Sequence, residues 1–201
     1  MQNELGINKE QQRKGRIIFL MIAIFFVVPI IVVILMFKFN WKPTGQSAGE
    51  LVRPARLLIT PATLKDSHNQ IQTRFWGDKW NMVFVANQCE KVCLDRLHDM
   101  RQIHVSTYKE IFRVQRVLIT QQQDVTDIQK LYPDMMIINQ SAHDIENLAT
   151  QFNIREEDAL YANRVYFVDP LGHMMMSYTP NIKAAYVRKD LMRLLKFSWA
   201  G

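Results

Sequence analysis

The chain is poor in cysteine: 201 residues contain two, Cys89 and Cys93, so any disulfide, redox or soft-metal chemistry of thiols rests on that one pair. It also lacks H-E-x-x-H, nucleophile-elbow and P-loop patterns, which leaves hydrolysis and nucleotide chemistry without a motif. Asp66, Ser67 and His68 are adjacent, which is loop polarity rather than triad geometry. Acidic residues are in deficit, 19 against 25 basic ones, for a net charge of +6. No basic run is interleaved with aromatics, however, so nucleic acid is not an expected partner. There is no internal repeat, and the three glutamines 121–123 are too few for a low-complexity segment.

Uncharged apolar runs are equally scarce, with one exception. Residues 17–37, IIFLMIAIFFVVPIIVVILMF, hold no charge over 21 positions. At 1.5 Å per residue that is about 31 Å of helix, enough to cross a bilayer core, and Pro29 is tolerable in such a helix. A cleaved signal peptide has a shorter apolar core with small residues close behind it. Here Lys38 follows directly, and the small residues Ser47, Ala48 and Gly49 lie further on, so the run is read as a retained anchor. Lys9, Arg13, Lys14 and Arg16 precede it, against Lys38 and Lys42 behind it. The positive-inside rule then keeps residues 1–16 in the cytoplasm and exports the remainder, with Trp41 at the interface. The expected location is a bacterial inner membrane, single-pass, with the C-terminal domain in the periplasm, where disulfides persist.

Residues 38–56 contain Pro43, Gly45, Gly49 and Pro54 and read as a linker, leaving 57–201 for the folded domain. Strands are expected at 56–59, 80–86, 114–120, 135–138, 165–168 and 173–178, with a short piece at 72–76 before the Gly77-Asp78 turn. The 80–86 run, WNMVFVA, is apolar but for Asn81 and partly β-branched, as a buried strand should be. Helices are expected at 92–103, around 127–132, from a Ser141/Asp144 cap through Phe152, and at 182–197. In the last of these Ala185, Leu191, Leu194 and Leu195 are placed on the buried side. This order suits a mixed sheet flanked by helices.

Cys89 and Cys93 sit where the 80–86 strand gives way to the 92–103 helix. Residues four apart share a helical face, so the two sulfurs can reach bonding distance. A five-residue C-x-x-x-C segment closes too short a loop to stabilise much as a crosslink. Near a helix N-terminus the unsatisfied amides favour a thiolate, helped by Lys91 and Arg96 and opposed by Glu90. The residues leave three roles open: a structural staple, a thiol–disulfide redox pair with Cys89 as attacker, or two thiolate donors to Cu(I).

The element order, with cysteines just after the first central strand, resembles the thioredoxin fold, and Cys89-Glu90-Lys91-Val92-Cys93 resembles the Sco family of membrane-anchored cytochrome c oxidase assembly proteins. In that family the motif follows a GKW turn and a strand, matched here by Gly77-Asp78-Lys79-Trp80 and NMVFVANQ. The family's Y-L-[IV]-D-P-x-G hairpin is matched by Tyr166-Phe167-Val168-Asp169-Pro170-Leu171-Gly172. The runs LHDMRQ at 97–102 and RVQRV at 113–117 are also similar to diverged Sco-like proteins found beside terminal-oxidase assembly genes.

The departures are specific. The family's proline after the first cysteine is Glu90 here, and its D-P-E-R-D-T-like stretch is replaced by 121–126, QQQDVT. Its third copper ligand, a histidine about nine residues before the Asp-Pro, falls on Tyr161. The resemblance thus implies a thioredoxin-like domain behind one transmembrane helix, acting in terminal-oxidase assembly, with copper as the metal in question and an oxidase subunit or copper-assembly factor as partner. Remaining candidates for a third ligand are His98, His104, His143, His173 and Met174 to Met176. His98 turns away from the cysteine face, and strand alternation puts His173 and Met175 on one side, Met174 and Met176 on the other. Those methionines are assigned to core packing. Asp95 and Asp99 are assigned to a solvated face with Arg96.

Overall fold

The computed structural model describes residues 2–39, 47–60, 65 and 75–198. Two compact units divide at Gln46 and Ser47. Among its described residues the first contains one helix, α1 (Gln2–Lys38), with Pro29 inside it; its stretch Gln12–Lys38 is long and apolar enough to cross a membrane.

The second unit is built on strands β1 (Glu50–Leu57), β2 (Trp80–Ala86), β3 (Val114–Thr120), β4 (Met136–Ile138), β5 (Val165–Val168) and β6 (His173–Tyr178). Its helices are α2 (Lys91–Val105), α3 (Thr126–Leu131), α4 (Ala142–Thr150) and α5 (Ala184–Phe197). The strands form one sheet in the order β1-β6-β5-β2-β3-β4. β2, β3 and β4 run parallel, whereas β5, β6 and β1 are joined antiparallel. Every residue of β2 is buried because both faces are covered. Trp80, Met82, Phe84 and Ala86 pack under α2 and α5, and Val83 and Val85 pack under α4 with Ile145, Leu148 and Phe152. Each fully buried Phe or Met contributes roughly 1.5–3 kcal/mol relative to exposure.

Local chemistry sets the element ends. Ser141 caps α4 by accepting from the Asp144 amide, as the sequence suggested. Gly172 has φ +88° and lies against the Trp76 indole, so the β5–β6 turn takes a residue without Cβ.

Several expectations are corrected. The folded unit reaches back into the presumed linker: Glu50–Leu57 is an edge strand on β6, which is why Pro54 is tolerable there. Ahead of it Ser47 Oγ, Ala48 N and Gly49 N donate to Asp190 of α5 at 2.7, 2.8 and 3.3 Å. Glu50 pairs at 3.1 Å with buried Arg164, which also grips Glu157 through two nitrogens. The methionine triplet does not alternate as an ideal strand: Phe167 faces Met176 and Val168 faces Met174, so Met175 is the extra residue of a bulge. Met174 and Met176 therefore enter opposite cores. Ala185, placed on the buried side of its helix, is exposed, and α5 begins two residues later than Ile182. A 3₁₀ segment (Tyr108–Arg113) between α2 and β3 was not anticipated. Of the 72–76 piece, Phe75 and Trp76 form a buried turn and residues 72–74 lie outside the described residues, as do Trp41 and Asp66, Ser67 and His68.

Candidate functional site

Cys89 and Cys93 are joined as a disulfide with Cα atoms 4.9 Å apart. Cys93 is in the first turn of α2 and only 2% exposed, packed into the core beneath the helix. Cys89 precedes the helix cap, Glu90, and is half-buried. The two sulfur positions are thus unequal, and Cys89 is the one that solvent or a partner reaches.

Three loops meet here. Asn87, just past β2, donates from its backbone to Leu160 O at 3.0 Å and from its side chain to the Tyr161 hydroxyl at 3.1 Å. Thr120, the last residue of parallel β3, donates from Oγ1 to Asn87 O at 3.1 Å and accepts from the Gln122 amide at 3.1 Å. Gln122 Oε1 accepts from the Cys89 amide at 2.9 Å, while its Nε2 donates to Asp124 O at 2.7 Å. An open groove of about 630 Å³ results, lined by Cys89, Glu90, Gln121, Gln122, Asp124 and Asp127 among others. It lies at the carboxyl ends of the parallel strands, the usual location for function in open α/β sheets. In the sequence the glutamine run carries no functional signal of its own. Its contact with Cys89 spans 33 positions and leaves no local signal.

The electrostatics oppose one another. Glu90 caps α2 without a side-chain hydrogen bond and the first turn carries no acid, so the helix N-terminus presents its positive end to the sulfurs. Against it stand Glu90 and Asp124, the latter held below the usual carboxylate range by hydrogen bonding from Thr126. Arg96, expected to assist a thiolate, is engaged elsewhere: it pairs with Asp99 at 3.4 Å and donates to Pro180 O.

Among the described residues the donor set for a metal at this site is the two sulfurs. Among the described residues no group of three His, Cys, Asp or Glu side chains could hold a metal ion. His98 is exposed on α2 beside Gln102, His143 neighbours Asn147 on α4, and His173 pairs with Asp169 at 3.1 Å. His104 is buried, its Nε2 donating to Ile111 O and Val114 O at 3.0 Å each. Tyr161 is 64% exposed and is brought to the cysteine loop through Asn87. A neutral phenol is a poor Cu(I) ligand. Once reduced, the two cysteines offer two soft thiolates, short of the three-ligand set that the resemblance implies.

Residues 80–198 match the model of the family described as transmembrane-like, thioredoxin-like, C-terminal domain. The chain belongs to this family. No curated protein matches it at the level of sequence. Among solved structures, copper-bound ScoI of Arabidopsis thaliana is similar over 76% of this chain and 100% of its own, with 14% identity and a TM-score of 0.54. Apo Sco1 of Thermus thermophilus is similar over 77% and 98%, with 14% identity and a TM-score of 0.56. BsSco, described as a Sco-family cytochrome c oxidase assembly protein with a disulfide switch, is similar over 73% and 99%, with 13% identity and a TM-score of 0.53. At such identities these likenesses show a shared fold, the thioredoxin-like fold with the mixed sheet expected from the sequence. Within that fold this chain carries the cysteine pair at the mouth of α2 and Tyr161 on the neighbouring loop.

Proposed function

We propose that this protein is a membrane-anchored thiol–disulfide exchange protein in terminal-oxidase assembly, with α1 in a bacterial inner membrane and the thioredoxin-like unit in the periplasm. The observation that carries the reading is the unequal Cys89–Cys93 disulfide at a helix N-terminus beside an open groove. The oxidase-assembly context rests on the Sco-like motifs and on the fold shared with BsSco and its relatives.

In the exchange, the reduced Cys89 thiolate attacks one sulfur of a partner disulfide, forming a mixed disulfide and releasing one partner thiolate. Cys93 then loses its proton and attacks the Cys89 sulfur, releasing the second partner thiolate and closing the bond seen here. Two electrons pass to the partner, and a partner dithiol drives the same steps in reverse. The α2 amides stabilise the attacking thiolate, while burial of Cys93 keeps the resolving thiol from competing reactions.

A second reading has a specific observation behind it: two soft sulfur donors on a fold that carries copper in Arabidopsis ScoI, which makes Cu(I) a cargo to be passed on. The experiment separates these on the full chain in detergent, with Cys89→Ser and Cys93→Ser. Exchange predicts a reduction potential above roughly −300 mV, a mixed disulfide trapped by Cys93→Ser and none by Cys89→Ser. Stoichiometric Cu(I) binding lost in both variants favours carriage. A potential below roughly −300 mV with neither exchange nor copper binding leaves a structural staple and sinks both.

A further inference from the structure

The outward face of α5 carries basic and aromatic side chains and no acid. Its one carboxylate, Asp190, is buried and receives the hydrogen bonds of Ser47, Ala48 and Gly49. Val187, Leu191 and Leu195 face the core. On the opposite side Lys189, Arg193 and Lys196, spaced by four and three residues, are all exposed, flanked by Tyr186 at 54% and Phe197 at 71% exposure. Beyond Phe197 the β5–β6 turn holds up Leu171, 71% exposed, and Leu171, Arg193 and Phe197 line one shallow apolar groove of about 480 Å³. Exposed basic residues flanked by exposed aromatics on a single helical face suit contact with an anionic membrane surface, while the apolar face of α5 stays in the core.

Chain length selects the occupant. Eight residues, 39–46, separate the end of α1 at Lys38 from Ser47, which is bonded to α5 itself. Even fully extended, that stretch reaches about 30 Å. With α1 in a bilayer, α5 is held at high effective concentration near the headgroups, where a weak site suffices.

We propose that the outward face of α5 docks on anionic lipid headgroups of the membrane that holds α1. This rests on the membrane-anchored reading above. Because the cysteines lie at the N-terminal end of α2 and not on this face, docking leaves their groove open to a membrane-bound partner.

With the two native cysteines kept oxidised and bonded to each other, an introduced cysteine is a single free thiol. The full chain is reconstituted in lipid discs with a fluorophore at Ala185→Cys on α5 or at Glu146→Cys on α4, across the sheet, and quenched by a nitroxide-headgroup lipid. Docking predicts stronger quenching at 185 in phosphatidylglycerol-containing discs than in phosphatidylcholine discs, with position 146 unaffected. Adding about 1 M salt abolishes the difference. Replacing Lys189, Arg193 and Lys196 by Gln weakens docking by roughly fivefold per charge, with unchanged melting as the control for folding. Equal quenching at both positions, or none that depends on lipid charge, overturns the proposal. So does contact at 185 that requires an added acidic protein. A chain that does not enter the discs at all refutes the anchor, and the docking with it; one that enters without approach of 185 refutes the docking alone.

Discussion

Arg116 is 1% exposed on β3, its guanidinium paired with Asp134 and 5.6 Å from the centroid of the Tyr132 ring. Its Nε and Nη1 are buried without hydrogen-bond partners. Breaking a buried pair from one side leaves a charge uncompensated, whereas an apolar side chain of similar volume does not. Asp134→Asn should therefore destabilise the domain by about 2–3 kcal/mol, discounted from a fully buried pair because Asp134 is itself largely exposed. Arg116→Met should cost less, and urea denaturation of the two variants compares them directly. At the thiol site, Tyr161→His places an imidazole on the loop bonded to Asn87. Cu(I) titration of the reduced variant should show affinity raised by roughly 10-fold or more over the native chain. An unchanged affinity would mean that the loop holds residue 161 out of reach of the sulfurs.

At the level of elements, the segment before β1 belongs to the fold. A Cβ at Gly49 would lie 2.7 Å from Tyr178 Cε1 and 2.9 Å from Met176 Cε, both buried. Gly49→Ala should lower stability by about 1–3 kcal/mol through displaced core side chains, measurable as a fall in Tm; a variant as stable as the native chain would show that β1 can lift away freely. The central elements were legible in the sequence for a local reason. β2 and β3 are largely apolar, β-branched runs interrupted by few polar residues, and Ser141 with Asp144 announces a helix start. Of β1 only the end was legible, as the strand expected at 56–59, because its alternation is interrupted: between Leu51 and Arg56 its register slips against β6, and most of its side chains face solvent. The bulge at Met175 escaped for the same reason, since a bulge is fixed by the partner strand rather than by the sequence of its own.

For the molecule as a whole, buried and paired titratable groups predict loss of stability in acid. Burial holds His104 below its ordinary value of 6.5, so below that pH the unfolded chain takes a proton that the folded one excludes. Burial alone would raise Asp134, but hydrogen bonding and charge from Arg116 outweigh it and lower it below 3.8. Hydrogen bonding and charge from Arg164 lower Glu157 below 4.5. The stability these carboxylates lend is present above those ordinary values and is lost as pH falls through their lowered ones. Tm should thus be level from pH 8 to about 7, decline first through about 6.5 and again below about 4. His104→Gln should flatten only the first step; if both steps survive in that variant, the assignment to His104 is wrong.

The sequence by itself determined the apolar helix, the buried strands, the Ser141 cap and the turn residues, and the cysteine spacing. Each of these is written in the periodicity or chemistry of neighbouring residues. Only the tertiary structure decided that residues 50–57 close the sheet edge on β6, that Met174 and Met176 part into two cores, and that Gln122, Asn87 and Tyr161 assemble around Cys89. These depend on hydrogen bonds and packing between segments tens of residues apart, whose partners are selected when the layers close and not before.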